Sequence, residues 1–470
     1  MYRYLIELSK YILPAFMALY SLECFLVFRH RREEDRKGNY VRQYIYLFFI
    51  QFLSFLVIAL QTGQIEYLFF YAFLQVALFS TIVLYQMIYP DINRLVINNM
   101  CMLLGIGFSM LSRLDFDKAI KQFFIVVLSL VAALIIPFFV HRLKFLPHLK
   151  WIYGILGLTA ISLVLILGQV THGSRISYTI AGITLQPSEF VKIIFVFFVA
   201  SMLYEATNLK QIFISALWAG AHVLVLVLSR DLGSALIFFV GYLFMVLIAT
   251  GNYLYLLAGL CAGSLASVAG YYLFSHVQVR VKAFLNPFAY IDAEGYQITQ
   301  SLFAVGSGSW FGMGLYQGTP ADIPYVESDF MFSAIAEEFG VIFALCMILV
   351  CLSCFLMFMN ISMRLHNRFY QLIAAGFGVM YIFQVFLTIG GGIKFIPLTG
   401  VTLPLVSYGG SSVLTTLVIF SVIQGLYMIR VDEQKEWEEQ RERFYEARRN
   451  KKRKEEAWAR QGWENRRVEE

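Results

Sequence analysis

Two carboxylates lie at the end of a long loop, directly before an apolar segment. Glu327 and Asp329 lie in the octapeptide IPYVESDF, residues 323–330. A carboxylate in this place can act as a general base that accepts the proton of an attacking hydroxyl, a contribution of typically about 10²–10⁴-fold in rate. Acidic and hydroxyl residues before a helix are also preferred caps. Asp329 is therefore a candidate catalytic base, and Ser328 with Asp329 is equally a candidate helix cap.

The composition indicates that a membrane surrounds these residues. Of 470 residues, 59% are hydrophobic and 14% are charged, whereas a soluble domain is roughly 25% charged. Stretches of about 20 apolar residues, long enough to cross a hydrocarbon core of about 30 Å, predict about thirteen spanning helices. The predicted starts lie near Leu5, Arg42, Tyr67, Leu95, Ile120, Trp151, Pro187, Gln211, Asp231, Asn252, Phe330, Phe369 and Leu403. The expected fold class is an all-α polytopic integral membrane protein.

Lysine and arginine in short loops predict the orientation. The basic loops 29–42, 141–150 and 363–368 fall on one side if the helices alternate, and that side is the cytoplasm. The charged tail 430–470 is then cytoplasmic and the N-terminus is extracytoplasmic. The one long loop, 275–329, is extracytoplasmic, and loops of such length are usually functional. Its segment AVGSGSWFGMGLYQG, residues 304–318, is apolar but too short to span, which predicts a re-entrant turn packed against protein.

Several charged residues lie near the predicted outer ends of spans, where each needs a partner or a function. A charge at mid-membrane costs about 2.5–3.5 kcal/mol on insertion scales. Glu189 and Lys192 are three residues apart on one helical face and can pair with each other. A structural ion pair and a contact to substrate both remain open for this pair. Lys394 lies in a short glycine-flanked outer turn, against the bias that concentrates cations in inner loops.

Five motifs together resemble one family. QPSEFVK, DLGSALIFF, GYQITQSLFAVGSGSWFGMGL, SDFMFSAIAEEFG and PLTGVTLPLVSYGGSS occur in this order in the chain. They are similar to the signatures of the SEDS family of FtsW, RodA and SpoVE proteins. The resemblance implies a ten-helix core over residues 94–429, which leaves residues 1–93 as a three-helix N-terminal extension and 430–470 as a tail.

The resemblance also implies an activity, a partner and a location. SEDS proteins are integral enzymes of the bacterial cytoplasmic membrane that polymerise lipid II into peptidoglycan strands, in cell division, elongation or sporulation. They work with a class B penicillin-binding protein that crosslinks the strands; nucleic acid is not an expected partner. By motif position, Asp329 inherits the role of the aspartate required for polymerisation.

Substrate contacts are expected from residues in the motifs and outer loops. The departing polyprenyl pyrophosphate gathers negative charge that outer cations can stabilise. The candidate substrate-binding residues are Arg175, Glu189, Lys192, Arg280, Lys282, Gln297, Ser301, Lys394 and Ser407. No histidine cluster predicts a protein metal site, but Mg²⁺ or another divalent cation could bind between a carboxylate and the pyrophosphate.

Departures from the family pattern leave two alternatives open. The family's Pro-Glu-x-His-Thr-Asp-Phe reads here as residues 324–330, with Tyr325 and Glu327 at the Glu and His positions. Ser177 lies near a position that is Trp in the family.

A lipid II flippase would show broken helices in matching halves, whereas the polar residues here lie toward one membrane face. A catalytically silent scaffold for a transpeptidase is the other alternative.

Overall fold

The computed structural model describes residues 2–30, 33–171, 174–180, 183–205 and 208–468. Most of the described residues are helical, and the helices are numbered in chain order. The helices are α1 (Tyr2–Arg29), α2 (Glu33–Thr62), α3 (Glu66–Ile88), α4 (Arg94–Leu114), α5 (Phe116–Arg142), α6 (Lys150–Leu167), α7 (Pro187–Leu203), α8 (Leu209–Leu228), α9 (Leu232–Thr250), α10 (Tyr253–Leu273), α11 (Ser275–Leu285), α12 (Tyr296–Gly308), α13 (Met331–Phe339), α14 (Val341–Arg364), α15 (Arg368–Gly392) and α16 (Gly410–Val468).

The predicted all-α membrane class is confirmed. Within the described residues, twelve helices are long and apolar enough to cross a membrane. The predicted span at Pro187 corresponds to α7, whose 17 residues extend about 26 Å at 1.5 Å per residue, slightly less than the hydrocarbon core. Between α6 and α7 the chain forms a small antiparallel sheet that the sequence did not predict. Its strands are β1 (Gln169–Thr171), β2 (Ser174–Ile180) and β3 (Ile183–Leu185), in the order β1-β2-β3.

Helix α4 lies at the centre of the bundle, and the N-terminal helices pack around it. Its side chains from Leu95 to Ser112 are all buried. Helix α1 packs on α2 and α14, and α2 packs on α4. Asn99 of α4 accepts a hydrogen bond from the Tyr20 hydroxyl at 3.0 Å and donates one to Ser353 Oγ at 2.6 Å. One buried amide therefore joins α1, α4 and α14.

The span predicted to start at Phe330 is divided into two helices. Helix α13 ends at Phe339, and α14 starts at Val341, with Gly340 between them at φ 91°. A Cβ at Gly340 would lie 2.4 Å from the backbone nitrogen of Gly312. The break therefore requires glycine, both for its left-handed backbone and for the close approach of the loop.

The glycine-rich segment pairs with this break through its backbone. The N–H groups of Met313 and Gly314 donate to the carbonyls of Glu337 and Glu338 at 2.8 and 3.0 Å, and Val341 N–H donates to Ser309 O at 3.0 Å. Backbone groups lost to the helix at Gly340 are thus satisfied by the segment, as an apolar environment demands. The segment packs against protein, as predicted; its re-entry into a membrane stays a prediction.

The last span starts at Gly410, seven residues later than the predicted Leu403. The Tyr408 N–H donates to Glu327 O at 2.7 Å, and Ser407 Oγ accepts from Leu403 N–H at 3.0 Å. These bonds hold residues 403–409 as a loop. The correction has a physical cause: the loop is apolar because it is packed inside the protein, and apolarity alone does not distinguish it from helix.

Candidate active site

Asp329 lies at the end of a tight turn directly before α13. The backbone N–H groups of Ser328 and Asp329 donate to the carbonyl of Tyr325 at 3.2 and 3.0 Å. Tyr325 has φ 60°, in a left-handed region that few residues other than glycine adopt. Helix α13 begins at Met331, with Phe330 at its N-cap. The helix-cap prediction for Ser328 and Asp329 is therefore wrong, because both residues precede the capping position.

The loop 403–409 holds this turn in place through hydrogen bonds. Ser407 Oγ donates to Ser328 O at 2.6 Å, and Tyr408 N–H donates to Glu327 O at 2.7 Å. Ser407 is buried, and its hydroxyl also accepts the Leu403 N–H. Ser407 was predicted to bind substrate. Its hydroxyl positions the turn that carries Asp329, and its contact with substrate stays a prediction.

Helix α11 brings a guanidinium to the same place. Arg280 Nη1 donates to the carbonyls of Leu398 and Thr399 at 3.1 and 3.0 Å. A Cβ added at the next residue, Gly400, would lie 3.7 Å from Asp329 Oδ2 and 3.9 Å from Arg280 Nη2. Both charged groups thus lie next to this glycine, which has φ 74°. The structure brings together the predicted catalytic residue and one of the predicted cations.

The charges of two carboxylates affect the pKa of Arg280. Burial lowers the pKa of the Arg280 guanidinium, and the charges of Asp329 and Asp231 oppose that shift. Asp231 is the N-cap of α9: its carboxylate accepts from Ser234 N–H at 3.1 Å and from Ser188 Oγ at 2.9 Å. The sequence placed Asp231 at the start of a span and at the first position of the motif DLGSALIFF. The capping pattern, an aspartate three residues before a serine at a helix start, was the signal for its position.

Helix α5 contributes two polar residues that the prediction missed. Lys118 Nζ lies 2.5 Å from Glu327 Oε1 and 3.2 Å from Asp115 Oδ2. One turn later, Gln122 Oε1 accepts from Gly409 N–H at 3.0 Å. Lys118 and Gln122 are four residues apart on one face, in the polar first turns of α5. The spacing of four residues indicated that both side chains contact the same region. The sequence did not show which loops they would contact.

Glu189 and Lys192 form an ion pair inside the bundle. Their charged atoms are 2.9 Å apart, and the residues are only 5% and 2% exposed. Lys192 Nζ also donates to Gln384 Oε1 at 2.7 Å, and Thr415 Oγ1 donates to Glu189 Oε2 at 3.0 Å. Every partner comes from within α7, α15 or α16. This arrangement favours the structural alternative over substrate contact.

The remaining candidate residues are more dispersed. Ser301 is buried and donates to the carbonyl at the end of α15 at 2.7 Å, whereas Gln297, one turn earlier on α12, is half-buried. Lys282 is exposed on α11 and points about 200° around the helix from Arg280, at 100° per residue. Lys394 follows α15 at φ 58° and is half-buried. Arg175 lies in β2, and its side chain lies outside the described part of the structure.

The described residues contain no group of three or more His, Cys, Asp or Glu side chains that could hold a metal ion. The two carboxylates near Arg280, those of Asp329 and Asp231, already have the positive charge of this guanidinium beside them. The residues present therefore do not fit a metal site built by the protein alone.

The fold and this site define a polytopic membrane protein with a carboxylate and a guanidinium beside one glycine at the end of its bundle. The chain belongs to the FtsW/RodA/SpoVE family, whose model, described as a cell cycle protein, matches residues 94–431. The match begins at the first residue of α4, so α1 to α3 precede it.

Curated relatives carry the names of the same family. The chain is 28% identical to the peptidoglycan glycosyltransferase RodA of Mycobacterium tuberculosis strain H37Rv over 369 residues, which cover 71% of this chain and 77% of the relative. It is 31% identical to a probable peptidoglycan glycosyltransferase FtsW of Hydrogenovibrio crunogenus over 323 residues, covering 67% of this chain and 81% of the relative.

Solved structures support the fold. A chain of a peptidoglycan synthase complex that coordinates polymerization and crosslinking matches with a TM-score of 0.63 at 24% identity, covering 72% of this chain and 98% of that chain. The crystal structure of the rod shape determining protein RodA of Thermus thermophilus matches with a TM-score of 0.56 at 23% identity, covering 72% and 97%.

Proposed function

We propose that this chain is a peptidoglycan glycosyltransferase that polymerises lipid II into glycan strands, with Asp329 as the general base. The observation that carries the proposal is the placement of Asp329 and Arg280 beside Gly400. This placement supports the proposal, because a turn and a loop with defined backbone bonds hold Asp329 and Arg280 near each other. Family membership and the names of the relatives support the substrate class.

The chemistry follows from these two groups. A sugar hydroxyl of one substrate attacks the anomeric carbon of another, while the bond from that carbon to the polyprenyl pyrophosphate breaks. The hydroxyl proton passes to the Asp329 carboxylate as the new glycosidic bond forms. The electron pair of the broken bond goes to the pyrophosphate, whose growing negative charge Arg280 stabilises. Lys394 and Gln297, both half-buried at this end of the bundle, are proposed to contact the substrate outside this centre.

The proposal includes an orientation and a partner. Asp329 would face outward from the bacterial cytoplasmic membrane, with the N-terminus outside and the tail of α16 in the cytoplasm, as the basic loops favour. A class B penicillin-binding protein would crosslink the strands. The similarity to a chain of a peptidoglycan synthase complex supports such a pairing.

A divalent cation is proposed only as a companion of the substrate. Mg²⁺ is usually bound through one or two carboxylates together with phosphate oxygens, so the pyrophosphate would supply most of its ligands. Polymerisation by the purified protein is expected to fall by less than about tenfold when EDTA is added, because Arg280 supplies the local positive charge. Complete loss with EDTA and recovery with Mg²⁺ would show that the metal is essential.

The test of the catalytic assignment is the Asp329→Asn variant of the full chain, purified with and without the partner. Asparagine keeps the size of the side chain but cannot accept the proton as a carboxylate does. Strand formation from lipid II, followed on gels, should fall by about 10²–10⁴-fold. Asp322→Asn is the matched control, since Asp322 is an exposed carboxylate of the same loop.

Three outcomes separate the alternatives. Polymerisation by Asp329→Asn at the parental rate contradicts its role as base. A parent chain that moves lipid II across vesicles and makes no strands is a flippase. A parent chain that makes no strands but is needed by a crosslinking partner is a scaffold.

A further inference from the structure

A second cluster of cations lies at the opposite end of the bundle from Asp329. Arg36 of α2, Arg364 of α14 and Arg430 of α16 line one small, partly enclosed cavity. Helix α4 connects the two ends: Asn93, its N-cap, lies in the cavity wall, and Arg113, near its last turn, pairs with Glu338 at 2.9 Å. The 21 residues of α4 separate the ends by about 32 Å. The cavity is therefore distinct from the candidate active site.

Arg430 is the most informative member of this cluster. The residue is only 9% exposed, and its Nε atom is buried without a hydrogen-bond partner among the described residues. Its guanidinium also lies 5.1 Å from the centre of the Tyr427 ring. A buried N–H of a charged group that lacks an acceptor is destabilising, because it has lost its hydrogen bonds to water. Such a group is expected to be satisfied by a ligand.

The cavity supplies no negative charge of its own. Within the described residues, none of the lining side chains is a carboxylate. The lining residues besides the three arginines are Val27, Phe28, Asn93, Met357 and Asn360.

The acidic residues nearest to Arg430 along α16 are engaged elsewhere. Asp432 Oδ2 lies 2.6 Å from His141 Nε2, and Glu433 accepts the N–H of His366 at 2.8 Å. The carboxylates of Asp432 and Glu433 therefore pair with the last turn of α5 and with the loop after α14. The three guanidinium groups line the cavity together, and Arg36 Nε donates to the His30 carbonyl at 2.9 Å.

We propose that this cavity binds a phosphate-bearing anion. Guanidinium groups match phosphate oxygens through bidentate, charge-assisted hydrogen bonds. Three arginines from three separate helices, with the start of α4 beside them, form a converging set of donors. The phosphate can come from an anionic lipid headgroup or from a free phosphate in solution, and the chemistry of recognition is the same.

Such an anion would join two parts of the chain. Arg36 belongs to the helices that precede the family match, whereas Arg364 and Arg430 belong to residues 94–431. A bound phosphate would offset the repulsion that Arg36 and Arg364 exert on Arg430 and would hold α2 against α14 and α16. The inference is independent of the reaction proposed for Asp329.

The test uses the full chain in a neutral detergent, followed by its thermal unfolding midpoint. The probes are dioctanoyl phosphatidylglycerol, dioctanoylglycerol, which lacks the phosphate, and inorganic phosphate. The phospholipid is expected to raise the midpoint in a saturable way, while dioctanoylglycerol does not. A rise with inorganic phosphate at similar concentrations identifies a free anion as the ligand, and a rise with the phospholipid alone identifies a headgroup. If neither phosphate probe raises the midpoint, the proposal is overturned.

Variants locate the effect. Arg364→Gln removes an exposed cation at the mouth of the cavity, so it is expected to fold and to weaken binding of the effective probe by about tenfold or more. Arg430→Gln should weaken binding at least as much. Arg142→Gln is the control, because Arg142 is an exposed cation in the last turn of α5, at the same end of the bundle and outside the cavity. Equal weakening in Arg142→Gln and Arg364→Gln would show nonspecific charge attraction and would overturn the proposal.

Discussion

Charged residues in the interior of the bundle and those at its loop end are held in different ways. Glu189 and Lys192 are almost completely buried, and side chains of neighbouring helices satisfy their charges. Asp329 and Glu327 are half-buried in a turn that is fixed through its backbone.

The difference separates structural from chemical roles. A buried, fully paired charge has its partners supplied by the fold, and removing one partner leaves the other uncompensated. The Asp329 side chain is only half-buried, so a substrate can approach it, and the turn that carries it is held by backbone bonds. The interior pair should therefore govern stability, and the loop site should govern rate.

The largest expected effect is on the rate at Asp329. Asp329→Asn should lower polymerisation by about 10²–10⁴-fold while lowering the free energy of unfolding by less than the roughly 3–5 kcal/mol expected for breaking a buried ion pair. Unfolding followed alongside strand formation checks both values. A large loss of stability would remove the contrast between the two regions, because Asp329 would then be part of the packing.

The next effect is on stability at Lys192. Lys192→Met leaves the Glu189 carboxylate buried without its partner and should cost about 3–5 kcal/mol in the free energy of unfolding. The matched control is the double variant Glu189→Leu with Lys192→Met, which removes both charges and should recover much of that loss. A stable Lys192→Met variant with defective polymerisation would indicate substrate contact after all.

A smaller effect is expected at Arg280. Arg280→Gln removes charge-assisted interactions worth about 1.5–3 kcal/mol, so kcat should fall by roughly 10–100-fold. Lys282→Gln, two residues along on the exposed side of α11, should lower kcat by less than about threefold. Equal losses in the two variants would show that general positive charge, and not the geometry at Gly400, is what matters.

The smallest effect is expected at Lys118. Its pair with Glu327 is half-exposed, with side chains 35% and 21% accessible, and such pairs contribute about 0–1 kcal/mol. Lys118→Met should lower kcat by less than about fivefold, because Ser407 and Tyr408 still hold the turn. Lys121→Met, an exposed residue of the same helix, serves as the control. A loss as large as that of Asp329→Asn would place Lys118 in the chemistry.

Much of the fold was predictable because spanning helices obey a local rule. Apolar length alone located the confirmed membrane helices. The same rule failed where apolar residues are buried in irregular backbone, as in the loop 403–409 and at Gly340. It also gave no indication of the three short strands before α7.

The site was only partly predictable for a similar reason. The motif predicted Asp329 as the catalytic base, a role that stays a prediction, and spacing predicted the pair of Glu189 and Lys192 that the structure shows. The contacts of Lys118, Gln122 and Asp231 were missed, because each depends on segments far away in sequence.

The sequence by itself determined that the chain is a membrane protein, which family its motifs resemble, and that an acidic residue precedes α13. These properties are local, since they depend on hydrophobic length and on residue identity within short windows. Only the tertiary structure decided that Arg280 joins Asp329 beside Gly400 and that Arg36, Arg364 and Arg430 share one cavity. The physical reason is that electrostatic interactions act through space, and the packing of helices distant in sequence sets those distances.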